Sequence, residues 1–470
     1  MSSNKKIHAF NDDILADHDA VALAELLRTK QCSSRELVEA VQQRVEQVNP
    51  ALNAIQTPMF DQALTRPHFC IHRFFNGVPI FLKDNIDIAG FATGQGSHAL
   101  PEIKAKQDSP ISQQILDQGF QLVGKTTLPE FGLNASTEYQ DGTVTRNPWH
   151  LDYSCGASSG GSAALVAAGV IPMAHANDGG GSIRIPAAAC GLIGLKPSRG
   201  RLLSTATANA LPIKIISEGM LTRSVRDTAY FYAEMEKSYH SPALAKMGLI
   251  EGASSRRLRI GLIETPIHGH FDQETQRTVA ETAELLTALG HQVDVYQPKI
   301  PNSFVNDFSY YWGSLAFALE KISKPLYGKS SQAENLESLT LGLSQLYQQH
   351  FYQTPLFLYR LKQCQKIYQS FFQHCDVLLS PVVAHTTPKL GYLSPQLDFE
   401  TLFSRIQNYV TMTPIQNVAG APAISLPMGI TDLDQLPISV QFAANIGDEK
   451  TLIELAYEIE QARPWRRIQD

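Results

Sequence analysis

Residues 155–201 read CGASSGGSAALVAAGVIPMAHANDGGGSIRIPAAACGLIGLKPSRGR. The run SAALVAAGV is rich in alanine, a strong helix former, and its small side chains let neighbours approach closely. VIPMAHAN is apolar and short, and reads as a buried strand that leads into DGGGS. Glycine-rich turns bracket this helix and strand, and five serines lie along the stretch.

Working outward, the same alternation of helix and strand patterns recurs, which argues for an α/β class. Residues 20–48 read as helical, with Ser33 and Glu36 forming a capping box before RELVEAVQQRVEQV. VPIFLKDNIDI, from Val78, reads as a strand that runs into a polar loop. RLRIGLIE (257–264), a helix from Asp272 to Leu289 closed by Gly290, and QVDVYQP form an expected β-α-β unit. DVLLSPVV (376–383), AISLPM (423–428) and LPISVQF (436–442) are further strands, and EKTLIELAYEIEQA is the last helix. Residues 302–375 are helix-like and aromatic, with Tyr310, Tyr311, Trp312, Phe317, Tyr327, Tyr347, Phe351, Tyr352, Phe357, Tyr359 and Tyr368. A helical layer with an apolar core face is favoured over a substrate-pocket lining, although single residues can serve both.

The chain has 470 residues, 43% hydrophobic and 18% charged, with a net charge of −6. That composition is ordinary for a globular protein and gives no global sign of polyanion binding, so no nucleic-acid partner is expected. The opening residues lack an apolar core of the signal-peptide kind. The apolar run from Ala163 to Ala176 is broken by Gly169 and Pro172 and is too short to span a bilayer, so no membrane association is expected. Six cysteines (Cys32, Cys70, Cys155, Cys190, Cys364, Cys375) lie far apart, which fits neither a disulfide framework nor a zinc site. A reducing cytoplasm is the simplest location. No metal or organic cofactor is implied.

Two turns compete for the chemistry. Gly156-Ala157-Ser158-Ser159-Gly160 fits G-x-S-x-G, a nucleophile elbow that requires a buried strand before it and a helix after it. The helix is there, but RNPWHLDYSC before it is polar, contains a proline and makes a poor central strand. DGGGSIR does follow an apolar strand. Gly179, Gly180 and Gly181 allow successive N–H groups to converge on one cavity and meet developing negative charge. The plainer reading is a tight turn that ends in Ser182. A serine also needs a base. His175 lies near, on the strand, but reads better as a core or supporting residue. Lysine is the other option if burial keeps it neutral, and Lys83 and Lys196 both end apolar strands.

GVPIFLKDNID, CGASSGGSAA and DGGGSIRIPAAACGLIGLKPS together resemble the amidase signature family. Lys83, Ser158 and Ser182 fall at the spacing of that family's Lys–Ser–Ser triad. SSRELVEAVQQRVEQVNPALNA, GKTTLPEFG, TRNPW, DVLLSPVV, QNVAGAPAISLPMG and LPISVQF extend the likeness over most of the chain. The least family-like part is about 236–375. The resemblance implies one amidase domain over 1–470, with an N-terminal helical segment at 1–60 and a more variable, helical, aromatic-rich segment at 236–375. It implies a large mixed central sheet covered by helices on both faces. It also assigns roles. Ser182 would be the nucleophile, and Ser158, after a cis Ala157–Ser158 bond, would bridge it to a neutral Lys83. The N–H groups of Gly179, Gly180, Gly181 and Ser182 would form the oxyanion hole. Asp178, Arg184 and Ser159 would support the loop, and Cys155 and Cys190 would be small core residues.

Departures from the family pattern are informative. Ala157 stands where a second glycine is usual. Gly179 replaces the threonine or isoleucine of many members, which opens space beside the oxyanion hole. The form DGGGSIRIPAA looks most like the branch that includes 6-aminohexanoate cyclic-dimer hydrolase. The implied activity is hydrolysis of a small-molecule carboxamide, linear or cyclic, through an acyl-enzyme. Two alternatives are the glutaminase subunit of a tRNA-dependent amidotransferase, against which Ile185 counts, and an inactive binding protein of the same fold. Oligomeric state is open, with a homodimer among the options.

Overall fold

Among the described residues, short apolar runs bounded by polar turns fold into three sheets. The computed structural model describes residues 5–65, 72–327 and 333–470. Cys70 and the side chain of Tyr327 lie outside the described residues. A three-stranded sheet holds β1 (Ile55–Pro58), β2 (Pro79–Lys83) and β3 (Gln121–Thr126) in the order β1-β3-β2. A small hairpin pairs β4 (Arg146–Asn147) with β5 (His150–Ser154). RNPWHLDYSC therefore makes a peripheral ribbon, as its proline and polarity predict.

The large mixed sheet has eight strands. These are β6 (Met173–Asp178), β7 (Ile193–Lys196), β8 (Ser217–Thr222), β9 (Arg259–Leu262), β10 (Gln292–Val295), β11 (Val377–Pro381), β12 (Ala423–Ile430) and β13 (Pro437–Ala444). Their order is β10-β9-β11-β13-β12-β7-β8-β6. β9 runs parallel to β10 and to β11, with the helix Gln273–Ala288 crossing between the first two. The other pairings are antiparallel. Period-two alternation covers both faces. Ile424, Leu426, Val440 and Phe442 join the larger core with Leu452 and Ile453 of the helix Glu449–Ala462. Ala423 and Ala443 point the other way, against Ile415 and Val418 of the helix Pro414–Ala419. The second face carries the site.

Residues 20–48 are helical, as two helices, Ala20–Arg28 and Ser34–Leu52, the second starting at the expected capping box. Lys30 sits at φ 58, and Ser33 is extended so that its side chain can accept from the Glu36 N–H while Glu36 reaches back. The capping box is present, and forming it requires the break. The segment to residue 60 also ends in a strand, β1.

The small-residue helix Gly160–Ala167 is buried along its whole length. A Cβ on Gly160 would lie 2.1 Å from Thr137 Oγ1, so glycine alone lets the helix close on that loop. In the aromatic segment, the helices Phe304–Tyr327, Ser338–His350 and Thr354–Phe371, with the 3-10 turn Phe351–Gln353, divide their rings three ways. Tyr311, Phe357 and Tyr368 are buried in a common core, Phe351, Tyr352 and Tyr359 are exposed, and Trp312 faces a cavity. Among the described residues no helix is long and apolar enough to cross a membrane.

Candidate active site

β2 lies against β6, and that contact brings distant motifs together. Lys83 ends β2 and is fully buried. Its Nζ donates to Ser158 Oγ at 2.7 Å and to Asn177 Oδ1 at 2.7 Å. Asn177 and His175 share one face of β6. The Lys83 backbone N–H donates to His175 Nδ1 at 3.3 Å. The ring proton then belongs on Nε2, which faces Glu218 at 3.2 Å. His175 thus anchors the strand that carries Lys83 and approaches neither serine, in line with its reading as a supporting residue.

Ser158 follows a cis Ala157–Ser158 peptide bond and is buried. Ser159 Oγ donates to the Ser182 carbonyl at 2.6 Å, tying the two glycine-rich turns together. Ser182 lies half-buried after β6 and lines the same cavity as Ser158, Asn177, Gly179 and Gly180. Its Oγ has no hydrogen-bond partner among the described residues.

Asp178 and Arg184 hold this loop. Asp178 accepts from the Gly181 N–H at 2.7 Å, the Ile183 N–H at 3.1 Å and Arg184 Nε at 2.9 Å. Burial alone would raise the Asp178 carboxyl, but Arg184, Lys196 and Asn417 outweigh it and hold the group well below the usual carboxylate range. Arg184 reaches Gln416 Oε1, Gln441 Oε1, Asn417 Oδ1 and the Thr413 carbonyl at 2.7–3.0 Å. Its planar fork is saturated, which is how a fully buried guanidinium is tolerated.

This arrangement corrects the expected donor set. The Gly181 N–H is spent on Asp178 and does not face the cavity. Gly181 sits at φ 139, and Thr413 Oγ1 fixes the Gly180 carbonyl at 2.6 Å, so the peptide between them is turned toward the carboxylate. The N–H groups of Gly179, Gly180 and Ser182 have no partner among the described residues. Lys196 is also displaced from consideration as the base. It donates to the Pro197 carbonyl at 2.8 Å and Ser217 Oγ at 3.3 Å, away from both serines.

The sequence model of the Amidase family matches residues 36–453. The chain belongs to the amidase signature family. A putative amidase AmiC from Mycobacterium bovis is 45% identical over 466 residues, covering 98% of each chain. The 6-aminohexanoate-cyclic-dimer hydrolase of Paenarthrobacter ureafaciens is 33% identical over 477 residues, covering 95% of each. A structure of 6-aminohexanoate cyclic dimer hydrolase complexed with substrate superposes with a TM-score of 0.86 at 32% identity, covering 96% of this chain and 98% of that one. The protein is accordingly an amide-hydrolysing enzyme, and its mixed sheet is that of the amidase signature fold.

In this amidase the cavity has a volume of about 190 Å³. Its walls are largely apolar. Ile215 and Ile216 come from the segment before β8, Phe308 and Trp312 from the helix Phe304–Tyr327, and Ile406 from the helix Phe399–Tyr409. A Cβ at Gly179 would make only ordinary contact, with Ile216 at 3.6 Å, so the glycine there does leave room. Burial pushes the Lys83 ammonium down to about 7, against Glu218 and Asp178, which raise it. Cys155 and Cys190 are fully buried, and burial pushes both thiols up, which leaves them protonated and inert. Among the described residues no group of His, Cys, Asp or Glu could hold a metal ion.

Sequence reasoning missed Asn177, Thr413, Gln416, Asn417 and Gln441. Asn177 carried a signal, since it lies two residues from His175 on one strand face and directly before Asp178. The other four sit more than 200 residues from Arg184, and nothing local marks them.

Proposed function

We propose that this amidase hydrolyses a small or medium carboxamide, linear or cyclic, through a covalent acyl-enzyme on Ser182. The observation that carries the reading is the buried 2.7 Å contact from Lys83 Nζ to Ser158 Oγ beside Ser182 in a mostly apolar cavity. A neutral Lys83 keeps one N–H on Asn177 Oδ1 and turns its lone pair to the Ser158 hydroxyl. Substrate in the cavity brings Ser182 Oγ toward Ser158, since such hydrogen bonds often tighten only in the complex.

Ser182 Oγ attacks the carbonyl carbon and forms the C–O bond. Its proton passes to Ser158 as the Ser158 proton passes to Lys83. The carbonyl electron pair collects on oxygen, where the N–H groups of Gly179, Gly180 and Ser182 receive it. Loss of one such donor typically costs about 10²–10³ in rate. The C–N bond then breaks as the proton returns through Ser158 to nitrogen, because an amide leaves only as an amine. Water, deprotonated by the same relay, attacks the acyl-enzyme and releases the acid. Asp178, Arg184 and Ser159 position the loop without touching the reacting atoms.

Fluorophosphonate labelling followed by peptide mapping tests the nucleophile. A single adduct on Ser182, absent from Ser182→Ala, is expected, together with loss of amide turnover by several orders of magnitude in that variant. An adduct on Ser158 would overturn the assignment.

A further inference from the structure

The cavity wall carries no Asp, Glu, Lys or Arg side chain among the described residues, and its one histidine, His268, is exposed. A carboxylate or ammonium on a substrate would therefore lose hydration there and meet no Asp, Glu, Lys or Arg to pair with, a large penalty in an apolar site. Most polar side chains on the wall are already satisfied by the protein. Asn134 donates to the Leu393 carbonyl at 2.8 Å and accepts from the Ala135 N–H at 2.7 Å. Thr411 Oγ1 bonds both the N–H and the carbonyl of His268 at 2.9 Å.

Gln407 is different. Ser309 Oγ gives its only proton to the Val305 carbonyl at 2.7 Å, so it can only accept from Gln407, whose Nε2 lies 3.0 Å away. That network fixes the orientation of the amide. The NH₂ end is committed to Ser309, and Oε1 is left as an acceptor with no partner among the described residues. Gln407 belongs to the helix Phe399–Tyr409, and Ser309 to the helix Phe304–Tyr327 that also supplies Phe308 and Trp312. The open acceptor calls for a donor on the ligand, and with no carboxylate on the wall a neutral N–H or O–H meets it without the cost of desolvating a charge.

We infer that the cavity takes an uncharged amide with an apolar body and a second N–H or O–H donor, which Gln407 Oε1 receives, and that it discriminates against charged substituents. The inference rests on the proposed function at Ser182 and names the substrate class of that site. It separates this enzyme from one built for a free amino-acid amide such as glutamine, whose carboxylate and ammonium would meet no Asp, Glu, Lys or Arg on the wall.

Four six-carbon ligands test it: hexanamide, hexanediamide, 6-aminohexanamide and the monoamide of hexanedioic acid. Their binding is measured by calorimetry on Ser182→Ala protein at about pH 8, where the last two carry a charge. Hexanediamide should bind about fivefold tighter than hexanamide, the worth of one hydrogen bond. The charged ligands should bind at least about tenfold more weakly than hexanamide. Gln407→Leu should erase the preference for the diamide. Gln407→Glu should raise the affinity for 6-aminohexanamide relative to hexanamide by placing a carboxylate on the wall. Charged ligands that bind within about twofold of hexanamide overturn the inference, as does failure of all four to bind. Affinity ratios that neither Gln407 variant moves overturn the role of Gln407. Amide turnover by the Ser182→Ala protein would instead sink the nucleophile assignment while leaving the order of affinities readable.

Discussion

In the proposed relay Lys83 is the residue on which the chemistry turns, because its burial comes with its contact to Ser158. A buried ammonium is costly, so the group is pushed down to about 7 and offers a lone pair under ordinary conditions. Lys83→Ala should lose far more activity on amides than on activated esters, since only the amide nitrogen needs a proton to leave. Equal losses on the two substrate types would remove the acid role. The proposed relay needs the basic form, so kcat/KM should fall as pH drops below about 7, approaching tenfold per pH unit. Glu218 raises Lys83 across the His175 ring, so Glu218→Gln should move that limb to lower pH. A pH–rate profile of the variant that overlays the wild type would contradict this coupling.

At the scale of elements, the turn between β6 and the helix Arg184–Cys190 is held by a charge pair and by one glycine. The resemblance to the family named the three glycines as donors together, but only the hydrogen bonds show that Gly181 serves Asp178. A Cβ on Gly181 would lie 2.4 Å from Thr413 Oγ1 at a φ that side chains avoid. Gly181→Ala should therefore lower kcat through a displaced loop. Arg184→Met leaves Asp178 buried without its main partner, and breaking such a pair typically costs about 3–5 kcal/mol. Urea unfolding of this variant should show a loss of that order, and a change under about 1 kcal/mol would mean the carboxylate finds other partners. Helix starts were legible at this scale. The Ser33–Glu36 box marked the start of the second N-terminal helix, because a cap is made by side chains only three residues apart.

For the whole molecule, two buried lysines link stability to pH. Lys83 and Lys196 are each lowered from 10.5 to about 7. Between those values the unfolded chain binds protons that the folded chain does not, so stability rises with pH through this window. The penalty is fully present below about 7 and gone above 10.5. Lys196 lies outside the relay, which makes it the cleaner test. Lys196→Met should be stabilising below neutrality by about 2–4 kcal/mol, less the cost of leaving Ser217 Oγ unpaired. The gain should shrink toward pH 10. A gain independent of pH would point to packing instead.

What the sequence determined by itself were the features that nearest neighbours control: strand and helix periods, the capping box, the glycine turns and the residue types of three motifs. The candidate triad of Lys83, Ser158 and Ser182 was proposed from that family spacing. Only the tertiary structure decided that β2 belongs to a separate three-stranded sheet and meets β6 through His175 and Asn177. Only it decided that Arg184 finds its partners on the helix Pro414–Ala419 and on β13, and that Gln407 meets Ser309. A backbone period is set by a few adjacent dihedrals and side chains. The partner of a buried charge or amide is set by which distant segments pack against it, and no local pattern records that choice.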